Sequence, residues 1–444
     1  MPKEQKQKYL KKEETTLPPP PDNPRQCHFW VKRKRRYCHL PTKIGNNYCG
    51  EHLASDPNPN QRERIPCPYD TSHTVYKDEL EKHLAQKCNS RPQPNPPYFS
   101  LNVNCTLPSS SASSELVIEE KVTLSELSKE TLDSLINNVN YWYQNFVPKN
   151  FETLVLDHEV LKERKKEIII NSKHVTQQAS LLGHMARLKL LRPDGCFIEF
   201  GCGKGELSYF TKLAIKDEDN NRFLLIDRKN TRGKFDAGIR DAGLSKTPVL
   251  RVGMDIKDLD LSKLDFVKDS KIIAYSKHLC GSATDVTLKS LVNYSKLNMN
   301  ENPIIGIIIA LCCHQLCQYH MYPNRQYLED IGITNDDFKR ICTMSSWAIC
   351  GQRSRHNDKH SDDDDDYDHT CDNSEEPDDD DNNVHYSGLD YPSREALGYK
   401  CKRILDYGRL KYLQENGFDL ELIYYVESST SLENLALMAV PRKN

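Results

Sequence analysis

No run of eighteen or more apolar residues occurs in this chain, so no helix in it is expected to span a membrane. The N-terminus is rich in Lys and Glu with no apolar stretch behind the charges, which argues against a secretory leader. The expectation is an intracellular protein, cytoplasmic, nuclear or both. Hydrophobic residues make up only 37% of the 444 positions, which is lean for a chain folded throughout, so part of it should be linker. No internal repeat is evident. Disulfides are disfavoured in a reducing compartment, so the sixteen cysteines read as metal ligands or buried thiols.

Charge is scarce in net terms and unevenly spread. Between Asp358 and Asp381 stand fourteen Asp/Glu against one Lys, a local balance of −13 within a total of −3, which leaves the remainder at +10. A basic remainder is the electrostatic footprint of a nucleic-acid binder, although an ordinary solvated surface gives the same excess. The acidic tract reads as a disordered, solvated insertion over 354–386.

The chain divides by composition. Residues 1–25 are charged and then proline-rich and read as disordered; 26–54 and 64–90 are dense in Cys and His; 91–150 reads as linker followed by a helix with Leu124, Leu127, Leu132, Leu135 and Ile136 on its apolar face. From residue 151 to 444, strands and helices alternate. Candidate strands are Cys196 to Phe200, Arg222 to Ile226, Pro248 to Val252, Lys271 to Tyr275 and Ile304 to Leu311, then Leu420 to Val426 and Leu435 to Val440. Apolar strands alternating with helices predict an α/β fold with a doubly wound, mostly parallel sheet, and the closing pair predicts an antiparallel edge.

Two Cys/His sets carry metal-ligand spacing. The first is Cys27-x10-Cys38-x10-Cys49-x2-His52 and the second Cys67-x5-His73-x9-His83-x4-Cys88, with His83 and Cys88 on a helix and Cys67 and His73 on a loop. Each lies in a segment too short and polar to build its own core, and a tetrahedral zinc ion supplies the missing folding free energy. His28 and His39 sit beside Cys27 and Cys38 as competing ligands. Lys32 to Arg36 form a basic run flanked by Trp30 and Tyr37, suited to gripping phosphate and stacking on bases; a solvated loop or an import signal fits the run equally well.

The most informative string is Cys196-Phe-Ile-Glu-Phe-Gly-Cys-Gly-Lys-Gly-Glu206, a buried strand entering a glycine turn before a helix. Gly201, Gly203 and Gly205 let backbone approach a ligand, but their spacing is not the G-x-G-x-x-G of dinucleotide sites. With Glu199 two residues upstream, the pattern resembles motif I of class I S-adenosylmethionine methyltransferases. On that reading Asp227 accepts the ribose hydroxyls of the cofactor, Asp255 the adenine amino group, and Glu199 holds the turn or faces the methionine amine. Lys277, His278 and His314, at the next strand ends, are the candidates to meet a substrate. Cys312 and Cys313 read as packing thiols rather than ligands or nucleophiles.

Taken with the two Cys/His sets, Lys173-His174, Gln177-Gln178-Ala179-Ser180, Lys277-His278-Leu279-Cys280-Gly281, Ala310-Leu311-Cys312-Cys313-His314, Met344-Ser345-Ser346-Trp347-Ala348 and Leu432-Glu433-Asn434 carry a wider resemblance. Together they resemble the eukaryotic tRNA 2′-O-methyltransferases that modify position four of the acceptor stem. The resemblance implies S-adenosylmethionine-dependent methylation of a ribose 2′-hydroxyl in tRNA, with two structural zinc ions whose modules help hold the RNA. Two departures stand out: Cys202 where alanine is common, and a His83-to-Cys88 spacing one residue longer than usual. Lys277 and His278 come first as groups that take the hydroxyl proton, with Lys173, His314 and Glu427 behind them. Arg353, Lys402, Arg403 and Arg409 are candidate phosphate contacts. A base or other RNA methyltransferase, or a non-catalytic zinc-dependent RNA-binding adaptor, is the alternative. Ser-Lys-His-Leu after the fourth strand, where base methylases carry Asn/Asp-Pro-Pro-aromatic, favours the sugar.

Overall fold

The computed structural model describes residues 18–31, 36–50, 52, 63–88, 90–91, 94–106, 122–167, 172–215, 220–229, 231, 233–243, 245–297, 302–349 and 385–442. Lys32 to Arg35, Arg353 and the acidic tract lie outside the described residues, as does the stretch 107–121. The chain forms two units, Met1–Pro94 and Asn95–Asn444. No helix among the described residues is long and apolar enough to cross a membrane.

The first unit holds two small antiparallel pairs. Strand β1 (Trp30–Val31) meets β2 (Arg36–Tyr37), with the Trp30 and Tyr37 rings edge-on at 5.0 Å. Strand β3 (Arg64–Cys67) meets β4 (Asp70–Tyr76), and a helical stretch from Lys77 to Lys87 follows. Among the described residues of this unit, the buried hydrophobic ones are Cys27, Cys38, Cys49, Cys67, Val75 and Cys88. A core made almost wholly of thiols has too little apolar area to fold on burial alone.

The second unit is organised by an eight-stranded sheet. Strands β5 (Glu152–Thr153), β6 (Gly195–Phe200), β7 (Arg222–Ile226), β8 (Val249–Val252), β9 (Lys271–Cys280), β10 (Ile304–Cys312), β11 (Phe418–Tyr424) and β12 (Leu435–Pro441) stand in the order β8-β7-β6-β9-β10-β12-β11-β5. The five strands from β8 to β10 are parallel, and β12 runs antiparallel to both of its neighbours. The predicted antiparallel edge is thus an insertion: β12 slips between β10 and β11, and the short β5 pairs with β11 in parallel. Both faces are covered. Ile198, Phe200, Leu224 and Ile226 join one apolar cluster while Phe197, Phe223, Leu225 and Tyr275 join the other, as strand alternation requires.

Several predicted boundaries move, among them the strand expected over Leu420 to Val426, found at Phe418–Tyr424, and the helix expected to include Leu124 and Leu127, which starts at Lys129. Strand β9 continues past Tyr275 to Cys280, so Lys277 and His278 lie on a strand rather than beyond one. Residues 95–106, expected as linker, pack on the turn after β8: the Asn104 side-chain amide donates to the Ile256 and Leu259 carbonyls, both at 2.8 Å, and the Asn102 amide to Asp258 at 2.7 Å. The helix Lys129–Phe146, capped by Ser128, buries Leu132, Leu135, Val139 and Trp142 in a third cluster with the long helix Tyr391–Glu415.

Candidate active site and metal centres

The glycine turn follows β6 directly and leads into the helix Glu206–Ala214. Gly201, Gly203 and Gly205 have φ of 64°, 50° and 84°, a backbone region that side chains disfavour. Gly201 is also crowded, since a Cβ there would lie 2.9 Å from the His278 carbonyl oxygen. This contact brings the turn against β9. The Gly203 amide donates to Asp227 Oδ2 at 2.8 Å, and the Lys229 amide to Asp227 Oδ1 at 2.8 Å. A carboxylate has further lone pairs, so Asp227 keeps acceptor capacity for a ligand. Asp255 caps the short turn after β8 by accepting from the Lys257 amide at 3.0 Å.

Glu199 holds the turn. Its carboxylate, 4% exposed, accepts from the Ser208 amide at 3.1 Å and the Ser208 hydroxyl at 2.5 Å. Burial pushes this carboxyl up to about 7, and the Ser208 bonds oppose the rise. Arg251 on β8 escaped the sequence reading. Its guanidinium grips Asp236 at 2.8 and 2.6 Å and donates to the carbonyls of Gly203 at 2.8 Å and Lys204 at 3.2 Å. An arginine within an apolar strand whose carboxylate partner, Asp236, stands fifteen residues upstream gives no local sign of that role.

The substrate-side candidates separate. Lys277 reaches partial exposure, and its Nζ lies 3.3 Å from Nδ1 of His174, an exposed residue at the start of the helix Ser172–Arg187. Desolvation, then the Lys277 cation, lowers the His174 pKa. His278 turns instead towards thiols, with Nδ1 3.1 Å from Cys312 Sγ. His314 does not face a substrate. It is 1% exposed and its Nε2 lies 2.6 Å from Asp406.

Asp406 is the hub of a buried ion network that also overturns the phosphate-contact expectation for Lys402, Arg403 and Arg409. It pairs with Arg403 at 2.6 Å and Arg409 at 3.1 Å, Arg409 continues to Asp285 at 2.8 Å, and Lys402 pairs with Glu433 at 2.6 Å. Lys402, Arg403 and Arg409 are all buried, so they brace the helix Tyr391–Glu415 rather than meet RNA. Cations on a long helix look like surface residues until their distant partners are known.

In the first unit, the ligand atoms of Cys27, Cys38, Cys49 and His52 lie within 4.8 Å of one another, as do those of Cys67, His73, His83 and Cys88. His52 Nδ1 is 3.6 Å from Cys27 Sγ and 3.3 Å from Cys49 Sγ, and Phe29 stacks on the His52 ring at 3.9 Å. In the second set the two thiols are 3.6 Å apart and the two histidine Nε2 atoms 3.2 Å apart. Such spacings suit a tetrahedral ion with bonds of about 2.0–2.3 Å, and a core built mainly of thiols supplies the need for one. His28 and His39 belong to neither set. Cys67 and His73 come from the β3–β4 hairpin, not a loop. The long His83-to-Cys88 spacing is absorbed by a π-turn over His83–Lys87, in which the Cys88 amide donates to the His83 carbonyl at 2.8 Å.

Comparison with known proteins fits this geometry. The family model described as Methyltransferase TRM13 matches residues 176–440. The chain belongs to the TRM13 methyltransferase family. Models for the CCCH zinc finger in TRM13 protein and the U11-48K-like CHHC zinc finger match residues 25–53 and 64–89 of this TRM13-family chain. It is 34% identical to the mouse "tRNA:m(4)X modification enzyme TRM13 homolog", covering 94% of each chain. It is 33% identical to the human homolog, again over 94% of each, and 36% identical to the Scheffersomyces stipitis enzyme over 91% of this chain and 98% of that one. A solved structure, the SAH-bound Podospora anserina methyltransferase PaMTH1, aligns over 73% of this chain and all of its own at 9% identity with a TM-score of 0.32, too distant a likeness to assign topology or ligand.

Proposed function

We propose that this chain transfers a methyl group from S-adenosylmethionine to the ribose 2′-hydroxyl of nucleotide 4 in the acceptor stem of tRNA. The observation that carries the reading is the junction of the glycine turn with β9, where Gly201 abuts the His278 carbonyl and the neighbouring Lys277 reaches solvent beside His174. Relatives covering 94% of the chain are named for tRNA:m(4)X modification, and Ser276-Lys277-His278-Leu279 supplies no Asn/Asp-Pro-Pro-aromatic string for a base.

Bound S-adenosylmethionine supplies an electrophilic methyl on a sulfonium. The chain's own groups do the rest. Gly201, Gly203 and Gly205 give the cofactor room at the turn, Asp227 accepts its ribose hydroxyls and Asp255 its adenine amino group. A ribose hydroxyl is a weak nucleophile at neutral pH, so it needs positioning and help in losing its proton. Lys277 faces the developing alkoxide and relays its proton, handing one to His174 Nδ1, 3.3 Å from Lys277 Nζ, as it takes one from the hydroxyl. The zinc modules and the basic run Lys32 to Arg36 hold the RNA.

The test uses pure protein, labelled S-adenosylmethionine and unmodified tRNA, followed by alkaline digestion. A labelled, alkali-resistant dinucleotide is expected. Label in a mononucleotide indicates a base, and no transfer indicates an adaptor. In single turnovers with saturating cofactor, Lys277→Ala should slow transfer about 10²-fold or more.

A further inference from the structure

Cys312 and Cys313 read from sequence as packing thiols, yet the structure gathers around them a third set of soft ligands. Strands β9 and β10 are parallel neighbours, with Leu311 opposite Leu279 and Cys312 opposite Cys280. The register shifts between Ile309 and Leu311, where β9 carries one residue more than β10. The extra residue falls at Lys277-His278, and a bulge of this kind re-aims a side chain. His278 and Cys280 thereby meet Cys312 and Cys313: the four ligand atoms lie within 4.8 Å of one another, the same closeness as in both N-terminal sets.

The individual distances fall a few tenths of an ångström either side of ligand spacing, with one nitrogen of the His278 ring towards each of two thiols. Cys312 Sγ is 3.1 Å from His278 Nδ1 and 4.0 Å from Cys280 Sγ, and Cys280 Sγ is 4.0 Å from His278 Nε2. Around a tetrahedral zinc with bonds of about 2.0–2.3 Å, ligand atoms stand roughly 3.3–3.8 Å apart. All three thiols are free, and the Cys280 and Cys312 sulfurs stand at nearly twice a disulfide length of about 2.05 Å. Four ligand atoms this close surround a single ion and are too near to span an iron–sulfur cluster.

The backbone is shaped to bring the set together. Cys313 has φ of 50°, unusual for a residue with a side chain, and its amide donates to Glu433 at 3.3 Å. Gly281, also at φ 50°, has no room for a Cβ, which would lie 2.9 Å from the Cys313 carbonyl oxygen. The two strand ends are packed as tightly as backbone permits.

We propose that His278, Cys280, Cys312 and Cys313 bind a zinc ion, a third site of Cys₃His type inside the methyltransferase unit. Four protein ligands close the site, so the ion is structural and His278 is a ligand, not a base. It ties the ends of β9 and β10 together, and through the His278 carbonyl against Gly201 it fixes the glycine turn. Lys277 and His278 then divide the work: the first faces solvent, the second anchors its strand. This site does not depend on the identity of the methyl acceptor.

The full-length protein, purified under reducing conditions in the presence of zinc and then desalted, should contain about three zinc ions per chain by elemental analysis. Cys280→Ser and Cys312→Ser variants should each contain one fewer, with the two N-terminal ions retained. Because either variant is open to misfolding, the wild-type protein carries a second readout: native alkylation followed by peptide mass spectrometry. Cys280, Cys312 and Cys313 should resist iodoacetamide with metal bound and react after chelation. Cobalt-loaded wild type minus cobalt-loaded Cys312→Ser should leave a thiolate-to-cobalt charge-transfer band. Two zinc ions in the wild type, unchanged metal content in both variants, or alkylation of the three thiols indifferent to chelation would each overturn the proposal.

Discussion

The Gly203 amide donates to the Asp227 carboxylate at 2.8 Å, so the turn after β6 and the first residue after β7 are one unit. The same carboxylate is the expected acceptor for the cofactor's ribose. Asp227→Ala should therefore loosen the turn and remove the ligand's acceptor together. Titration calorimetry with S-adenosylhomocysteine should show affinity falling at least about ten-fold, roughly 1.4 kcal/mol, with an unchanged circular dichroism spectrum. Unaltered affinity would remove Asp227 from the cofactor site.

Arg251 braces that turn from β8. Lysine keeps the charge but cannot reproduce the two-pronged grip on Asp236 while also reaching the Gly203 and Lys204 carbonyls. Arg251→Lys should lower stability in urea by about 1–2 kcal/mol and weaken cofactor binding, although Arg251 is not expected to touch the cofactor.

Glu199 predicts a pH signature. Its folded pKa of about 7 lies above the ordinary value of 4.5, so the fold prefers the protonated form. The contribution is fully favourable below pH 4.5, is lost as pH rises towards 7, and is flat above that. The total is on the order of 3 kcal/mol. Glu199→Gln lacks this titration. The stability difference between variant and wild type, from urea unfolding at half-unit steps, should shift in the variant's favour between pH 5 and 7.5 and then level off.

The sheet was legible because parallel strands buried on both faces are written as apolar runs, from Phe197 to Ile309, and the glycine turn because its spacing is local. What stayed hidden depends on partners far along the chain. In sequence β9 reads as ending at Tyr275 because Lys277 and His278 interrupt the apolar run, whereas pairing with β10 carries the strand on to Cys280. The packed segment 95–106 reads as linker because much of its anchoring is by hydrogen bonds that composition does not show, the Asn104 side-chain amide on two backbone carbonyls and the Asn102 backbone amide on Asp258. Arg409 reads as a surface cation because Asp285 lies 124 positions away.

That network gives a stability prediction with an internal contrast. Asp406→Ala would leave Arg403 and Arg409 buried without their shared carboxylate, a loss of about 3–5 kcal/mol in urea unfolding. Lys263→Ala breaks a half-exposed pair with Asp260 and should cost no more than about 0.5 kcal/mol. Equal losses at the two sites would contradict the assignment of Asp406 as a buried hub.

The central claim is methyl transfer to a single ribose hydroxyl, and removing that one oxygen tests it most directly. Two tRNAs are compared, identical except that nucleotide 4 carries either its 2′-hydroxyl or a 2′-hydrogen. With labelled S-adenosylmethionine, the account predicts about one methyl per molecule for the first and none for the second, with similar tRNA binding. Equal incorporation into both would contradict it.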